Sequence, residues 1–197
     1  MVANLNKLQH QPWVGDLFPT TAQRLMVLGE SHHGDDQDEM NMTIPVVEEW
    51  LSGISCPSYR LFTHLAVALT GQDPQKLDRK AVFRRIAFYN YVGKVMPASR
   101  VAPTRDDFVQ SERGFREVVE RLKPTHIIVC GKRLWEAMPQ FDPPDSNGYY
   151  AVFADMEFHV GRYRTTSAAP LAITIRHPQS GFNGLTWHPR VQAFLST

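Results

Sequence analysis

Two short polar segments, far apart in the chain, carry residue types that commonly do chemistry in proteins. The first is Gly29-Glu30-Ser31-His32-His33-Gly34, and the second is Arg176-His177-Pro178-Gln179-Ser180-Gly181. A carboxylate or an imidazole can orient a water, and an imidazole N–H can stabilise developing negative charge. Each segment directly follows an apolar run typical of a strand. We therefore expect both to line one pocket at the carboxyl ends of two strands.

The first segment admits several chemical interpretations. We favour a polar loop that binds a small planar group, with Glu30 or a histidine orienting a water. A metal site is less well supported, because His32 and His33 are adjacent and no third ligand stands at a clear spacing. A nucleophilic Ser31 is weaker still, because the Gly-x-Ser-x-Gly elbow is absent. A turn that merely carries surface histidines is the non-functional alternative.

The second segment places His177 immediately before Pro178, which keeps the preceding residue extended. A histidine restrained in this way can point into the crevice at the strand ends and donate a hydrogen bond to developing negative charge. Ser180 and Gly181 can offer a hydroxyl and a backbone N–H to a phosphate. A histidine with a purely structural hydrogen bond is the alternative interpretation of the His-Pro pair.

Asn90 lies within a strand-like aromatic run, between Tyr89 and Tyr91 and close to Phe88. A side-chain amide carries both a donor and an acceptor, which suits one edge of a nucleobase. The neighbouring aromatic rings can stack on a base. The alternative is a structural asparagine beside core aromatics.

The elements that must position these residues follow from hydrophobic periodicity. Strands are predicted at 24–29, 87–92, 125–130 and 171–176, with a strand or hairpin at 149–165. Helices are predicted at 58–70, 75–87, 105–122, 132–138 and 188–195, and a further helix capped by Thr43 carries Pro45 in its first turn. Strands that alternate with helices predict an α/β fold, namely a three-layer α/β/α sandwich with a mainly parallel central sheet in a single domain over 1–197.

The composition is that of an ordinary globular protein, with 43% hydrophobic and 21% charged residues among 197. No apolar run approaches the roughly 20 residues of a membrane helix, and the N-terminal segment lacks the apolar core of a signal peptide. Cys56 and Cys130 are far apart in the sequence and form no metal or redox motif. This cysteine usage favours location in the reducing cytoplasm. The net charge of +1 neither demands nor excludes nucleic acid.

The order of these motifs resembles that of the uracil-DNA glycosylase superfamily. The matching features are the strand that leads into Gly29–Gly34, the strand bearing Asn90, the helix–strand unit from Arg116 to Gly131, and the strand that leads into His177-Pro178-Gln179-Ser180. Within the unit, the run from Lys123 to Lys132 is similar to the superfamily's strand that ends at a glycine and a short helix. The resemblance covers roughly residues 24–195 and marks the chain as a divergent member.

The resemblance implies hydrolysis of an N-glycosidic bond after a base is flipped from DNA into a pocket. It places Glu30 and Ser31 on the loop that positions the water, with His33 beside them, and makes His177 the residue that stabilises the departing base. Asn90 falls on the base reader, and we add Phe88 and His32 to the base-binding set.

The remaining inferences concern DNA, cofactors and assembly. Ser180 falls on the loop that presses the DNA backbone, with Gly181 beside it, and Phe182 is assigned as the DNA-wedging residue from its place after Ser180. The chemistry requires no metal and no cofactor. The expected partner is single- or double-stranded DNA, or a free nucleobase or nucleotide; no membrane is expected to be involved, and the chain is expected to be a monomer.

The chain departs from the superfamily's pattern in ways that leave two alternatives open. Ser31 stands where well-studied members carry Asp or Asn, His32 replaces a Pro, and Gln179 stands where Ser is usual. One alternative is a nucleic-acid-binding relative that has lost catalysis. The other is an erythromycin-esterase-like hydrolase, because Gly29-Glu30-x-x-His33-Gly34 resembles its Gly-Glu-x-x-His-Gly motif. That hydrolase would activate water with Glu30 and His33, but it does not account for Asn90 or His177.

Overall fold

A seven-stranded sheet organises the chain in the computed structural model, which describes residues 8, 10–34, 41–54, 56–98, 101–139, 148–179 and 181–197. The strands, in chain order, are Trp13–Val14 (β1), Leu25–Gly29 (β2), His32–His33 (β3), Ile86–Asn90 (β4), Val95–Met96 (β5), His126–Cys130 (β6), Tyr149–Phe153 (β7), Met156–Arg162 (β8) and Leu171–Ile175 (β9). The large sheet has the order β1-β4-β2-β6-β9-β8-β7, and β3 pairs separately with β5.

Helices cover both faces of the large sheet. They are Thr43–Leu51 (α1), Arg60–Thr70 (α2), Arg79–Phe83 (α3), Arg105–Leu122 (α4), Lys132–Ala137 (α5) and Gly184–Leu195 (α6). Alternate residues of a strand point to opposite faces. Val27 of β2 accordingly packs in a hydrophobic cluster with α1, α2, α3 and α6. Leu28 packs in a second cluster with α4 and α5.

The central sheet is mixed, so the prediction of a mainly parallel sheet is wrong. Strands β4, β2, β6 and β9 run parallel, whereas β1 pairs antiparallel with β4, β8 with β9, and β7 with β8. For β7, β8 and β9 the physical reason is the length of the connections. A parallel crossover needs a dozen or more residues, and the tight turn between β7 and β8 and the short link from β8 to β9 permit only antiparallel pairing.

The region 149–165, which the sequence left as strand or hairpin, is a hairpin. Its two turn residues, Ala154 and Asp155, both have positive φ, at 46° and 61°. This is the pattern of the tight turns whose twist matches that of the flanking strands. The hairpin forms the edge of the sheet beyond β9.

The clearest predicted helix, 105–122, is confirmed with the same bounds as α4. Thr104 and Asp107 form a capping box at its start: the Thr104 side chain accepts from the Asp107 N–H, and the Asp107 carboxylate accepts from the Thr104 N–H. These two bonds satisfy donors that a helix start otherwise leaves unpaired, which explains the sharp boundary.

The predicted helix over 75–87 is instead two short pieces followed by a strand. A 3-10 turn at Pro74–Lys76 follows Asp73, whose side chain accepts from the Gln75 N–H. Helix α3 then starts after Asp78, whose side chain accepts from the Ala81 N–H. Two closely spaced aspartates therefore begin two separate helical segments, where hydrophobic periodicity alone predicts one continuous helix.

Two other helices also depart from the predicted bounds. Thr43 does not cap α1 with its side chain; its hydroxyl hydrogen-bonds His32 instead, and α1 begins at Thr43. Helix α6 begins four residues before the predicted His188, because the Asn183 side chain accepts from the Thr186 N–H and caps the helix there. None of the helices in the described part of the chain combines the length and the hydrophobicity of a membrane-spanning segment.

Candidate functional site

A cleft of about 460 Å³ opens at the carboxyl ends of the parallel strands. The predicted site residues that line it are Glu30, Ser31, His32 and His33 after β2, Phe88 and Asn90 of β4, and His177 after β9. Arg133 of α5, Gln179, part of α1, the start of α2 and the residues just before it complete its wall. The two polar segments, almost 150 positions apart in sequence, therefore face one cavity. Parallel strands bring their carboxyl ends to a common edge, which accounts for this convergence.

Glu30 is held by Arg133 in a two-point ion pair. The Arg133 Nε–H donates to Glu30 Oε2 at 2.7 Å, and Nη2 donates to Oε1. The Glu30 side chain is only 10% exposed, whereas that of Arg133 is 62% exposed. Glu30 raises the pKa of the Arg133 guanidinium, chiefly by accepting its hydrogen bonds. The pair fixes the orientation of the carboxylate and occupies both of its oxygens, which limits its freedom to act as a base.

Backbone pairing makes the loop after β2 rigid. The Tyr91 and Val92 N–H groups donate to the carbonyls of Gly29 and Glu30, at 2.9 and 2.8 Å. His32 and His33 then pair as β3 with β5, and the Gly34 N–H donates to the Met96 carbonyl. The segment is thus a short strand on a fixed path, which keeps its side chains oriented relative to Asn90.

The three histidines of the cleft all have lowered pKa values. Burial is the first cause in each case, because an apolar environment disfavours the charged imidazole. The pKa of His32 falls to about 4, with His10 and His33 adding repulsion. Glu30 opposes the shift at His177, while Arg133 and His33 reinforce it. The imidazoles are therefore neutral at pH 7, and each can donate one N–H and accept at the other nitrogen.

Asn90 lies at the end of β4 and is 4% exposed. Its side chain passes directly over Gly29, where a Cβ would lie 2.0 Å from Asn90 Oδ1. None of the described residues hydrogen-bonds to its amide group, although the amide lines the cleft. An amide without protein partners at the surface of the cleft has a donor and an acceptor free for a ligand.

The backbone of Asn90 is supported by His10. The His10 ring nitrogen Nε2 donates to the Asn90 carbonyl at 2.6 Å, and the ring stacks on Tyr89 with centroids 4.3 Å apart. No motif in the sequence singles out His10, which lies in a polar segment. Its role is recognisable only from the structure.

His177 packs closely on the backbone at the end of β6. A Cβ on Gly131 would lie 3.4 Å from the His177 Cβ, and the Gly131 N–H donates to the Ile175 carbonyl at 2.9 Å. The Gln179 N–H donates to the His177 carbonyl at 2.7 Å, which makes a tight turn around the buried Pro178. No described residue hydrogen-bonds to the imidazole itself, so its N–H is available to a ligand in the cleft.

The predicted DNA-contacting residues have different positions. Ser180 lies outside the described residues. Gly181 is exposed and has a φ of +72°, beside the Arg176 guanidinium. Phe182 is only 6% exposed and stacks on Trp187, with ring centroids 5.8 Å apart and planes 8° apart. Its ring belongs to the core cluster beneath α2 and α6, so it is not presented to DNA as a wedge in this conformation.

Ser31 and Phe88 also line the cleft, but in different ways. The Ser31 hydroxyl is buried and has no hydrogen-bond partner among the described residues, so no base activates it as a nucleophile. Phe88 is 1% exposed and packs edge-on against Phe62, with centroids 5.1 Å apart. It forms part of an apolar wall rather than a freely exposed stacking platform.

Sequence reasoning missed three polar side chains that line the cleft, namely Arg133, Tyr59 and Glu49. Arg133 is 103 positions from Glu30 and lies in a short helix with no recognisable motif. The Tyr59 hydroxyl donates to the Glu49 carboxylate, and this hydrogen bond is the main cause that raises the pKa of Tyr59 to about 12. Within the described part of the chain, no cluster of three or more histidines, cysteines or acids is placed to hold a metal ion.

The sequence matches no protein-family model and has no significant match among curated proteins.

Proposed function

We propose that the protein is an N-glycosidase that excises uracil or another deaminated or modified base from DNA. The observation that carries this proposal is the convergence of Asn90, His177 and the Glu30–His33 loop on one cleft of about 460 Å³. That volume suits a single planar base with its sugar, since small-ligand pockets begin at roughly 300 Å³. The three elements supply a base reader, a hydrogen-bond donor and a water-holding loop.

The proposed reaction breaks the bond between the sugar C1′ and the base nitrogen. The bonding electron pair leaves with the base, and the sugar becomes an oxocarbenium-like cation. The neutral His177 imidazole donates its N–H to a base oxygen that gains negative charge as the bond lengthens. Asn90 binds an edge of the base through its amide, which keeps the base in the orientation that presents this oxygen to His177.

Water then adds to C1′ and loses a proton. The Glu30 carboxylate is fixed beside the cleft by Arg133, and its negative charge also favours a cationic sugar. Attack on an oxocarbenium-like centre requires little base assistance, so a carboxylate in an ion pair or the neutral His33 can accept the proton. Ser31, without a partner base, contributes at most a hydrogen bond to the water.

The hydrolase alternative receives less support from this geometry. The Glu30 carboxylate is already paired with Arg133. In addition, water activation by Glu30 and His33 alone would leave Asn90 and His177 without a role. The alternative of a relative that binds DNA without cleavage rests on Ser31, because serine is a poor general base. The active glycosidase and the relative that binds DNA without cleavage share the same pocket and differ only in whether the bond is hydrolysed.

A cleavage assay tests the proposal. Single- and double-stranded oligonucleotides carrying uracil, hypoxanthine, xanthine or hydroxymethyluracil are incubated with the protein and then treated with alkali. We expect scission at one of these bases, reduced about 10²–10³-fold in His177→Ala, the cost typical of removing a preorganised donor. Scission that His177→Ala leaves unchanged would refute the assigned role. Salt-sensitive DNA binding without scission would favour the non-catalytic relative.

A further inference from the structure

A second, smaller cleft of about 240 Å³ adjoins the candidate site. It lies between the C-terminal end of α1 and the first turns of α2. Cys56 and Tyr59 line both clefts, so the two cavities share a wall. The small cleft is also lined by Arg60, His64 and Arg79, and none of its described lining residues is acidic.

Arg79 is held firmly in this cleft. Its Nη1–H donates to the Trp50 carbonyl at 2.7 Å, and the guanidinium carbon lies 5.2 Å from the centroid of the Trp50 ring. The side chain is half-buried, yet no carboxylate of the described residues pairs with it. A positioned, partly desolvated cation without an acidic partner attracts an anion.

Arg60 and His64 add two further groups on one face of α2. They are four positions apart, so their side chains are neighbours on the helix surface. Arg60 is exposed and has no ion pair with a described residue. The His64 Nδ1 atom is buried and has no hydrogen-bond partner among the described residues. The neighbouring acid, Glu49, accepts the Tyr59 hydroxyl and lines the larger cleft instead.

We infer that the small cleft binds a phosphate group attached to the nucleoside whose base enters the larger cleft. Guanidinium groups recognise phosphate through paired N–H donors, and an imidazole can donate a further hydrogen bond. The shared wall at Tyr59 places the phosphate site next to the base site. This inference rests on the proposed function and names the part of the substrate that the small cleft would hold.

The test uses inorganic phosphate, a deoxynucleoside 5′-monophosphate and a single-stranded oligonucleotide as separate probes. Phosphate and monophosphate affinities are measured by calorimetry, and oligonucleotide affinity by fluorescence anisotropy over a range of salt concentrations. Arg60→Gln is the main variant because the side chain is exposed. Arg79→Gln and His64→Gln are compared after thermal melting confirms that they fold. The control is Arg113→Gln, on α4 at the opposite face of the sheet, whose side chain is 92% exposed.

We expect Arg60→Gln and Arg79→Gln to weaken binding at least five-fold for one or more probes, whereas Arg113→Gln leaves it unchanged. Loss of one contact to single-stranded DNA should also reduce the slope of log K against log salt by about 0.7. A loss confined to the oligonucleotide identifies a DNA phosphodiester, and a loss shared with the monophosphate identifies a nucleotide phosphate.

Equal effects of Arg60→Gln and Arg113→Gln, or undiminished binding of every probe, would overturn the inference. So would an absence of measurable binding of all three probes to the unaltered protein. The phosphate site and the proposed glycosidase function can be refuted independently of each other. If no base is excised but Arg60→Gln loses phosphate affinity, the phosphate site stands and the glycosidase does not. If Arg60→Gln excises bases with the same KM as the unaltered protein, the glycosidase stands and the phosphate site does not.

Discussion

The Asn90 side chain occupies the space that a side chain at Gly29 would need. The two residues are directly paired in the register of the parallel strands β4 and β2. A Cβ on Gly29 would lie 2.0 Å from Asn90 Oδ1 and 2.9 Å from Phe88 Cζ. Glycine at the end of β2 is thus the condition for the Asn90 amide to reach the cleft.

Gly29→Ala is expected to displace the Asn90 amide and abolish base binding. The new methyl group cannot coexist with Oδ1 at 2.0 Å, so the amide must rotate or β2 must shift. Excision kinetics and thermal melting would be measured in parallel. Gly34→Ala is the matched control in the same loop, since its Cβ would meet nothing nearer than Val95 Cγ1 at 3.5 Å. Comparable activity in the two variants would contradict a base-reading Asn90.

Arg133→Ala should destabilise the fold by about 1–3 kcal/mol, because it leaves the Glu30 carboxylate without its charged partner. The effect is limited because the Arg133 side chain is 62% exposed to solvent. Removing the Glu30 charge as well, in Glu30→Gln/Arg133→Ala, should recover part of the lost free energy of unfolding. Urea unfolding of both single variants and the double variant gives the coupling free energy. A coupling of zero would mean that the ion pair does not position Glu30.

The stability of the protein is expected to rise with pH between about 4 and 6.5. His32 has a pKa of about 4 in the folded state against 6.5 for an ordinary histidine, so the unfolded chain binds more protons in this window. The stabilisation is complete above pH 6.5 and is lost as the pH falls toward 4. Each pH unit of the window is worth up to about 1.4 kcal/mol from this residue.

Urea unfolding at several pH values between 4 and 7.5 measures this dependence. His10, His33 and His177 have pKa values shifted in the same direction and add to it. His32→Gln should lower stability at pH 7.5, because the Thr43 contact changes, and should flatten the profile below pH 6.5. An unchanged profile in His32→Gln would show that His32 is not buried in its neutral form.

Phe182→Ala is expected to cost about 3 kcal/mol of stability, the magnitude typical of truncating a core phenylalanine. The ring is 6% exposed and lies between His64 and Trp187. DNA affinity, measured below the melting temperature, should stay within two-fold of the unaltered protein, on the order of 0.4 kcal/mol. The neighbouring Leu185, which is 50% exposed, is the control, because Leu185→Ala should cost far less. A large loss of DNA affinity with unchanged stability would restore the wedge assignment.

Local patterns determined much of the fold. The bounds of α4 follow from apolar residues at helical spacing and from Thr104 and Asp107, all of which act within one or two turns. The buried strands β2, β6 and β9 follow from short apolar runs. The placement of Glu30 and His177 on one cleft follows from the rule that parallel strands end at the same edge.

The tertiary structure decided the features that depend on distant pairs. The Glu30–Arg133 ion pair joins residues 103 positions apart and leaves no periodic or motif signal in the chain. The antiparallel pairing of β1 with β4 joins strands far apart in the chain, and hydrophobic alternation does not specify such a partner. Phenylalanine is one of the apolar residue types that can insert between DNA bases, so residue type alone is compatible with a wedge at Phe182. Only its packing against Trp187 places it in the core, because burial depends on contacts between elements rather than on residue type.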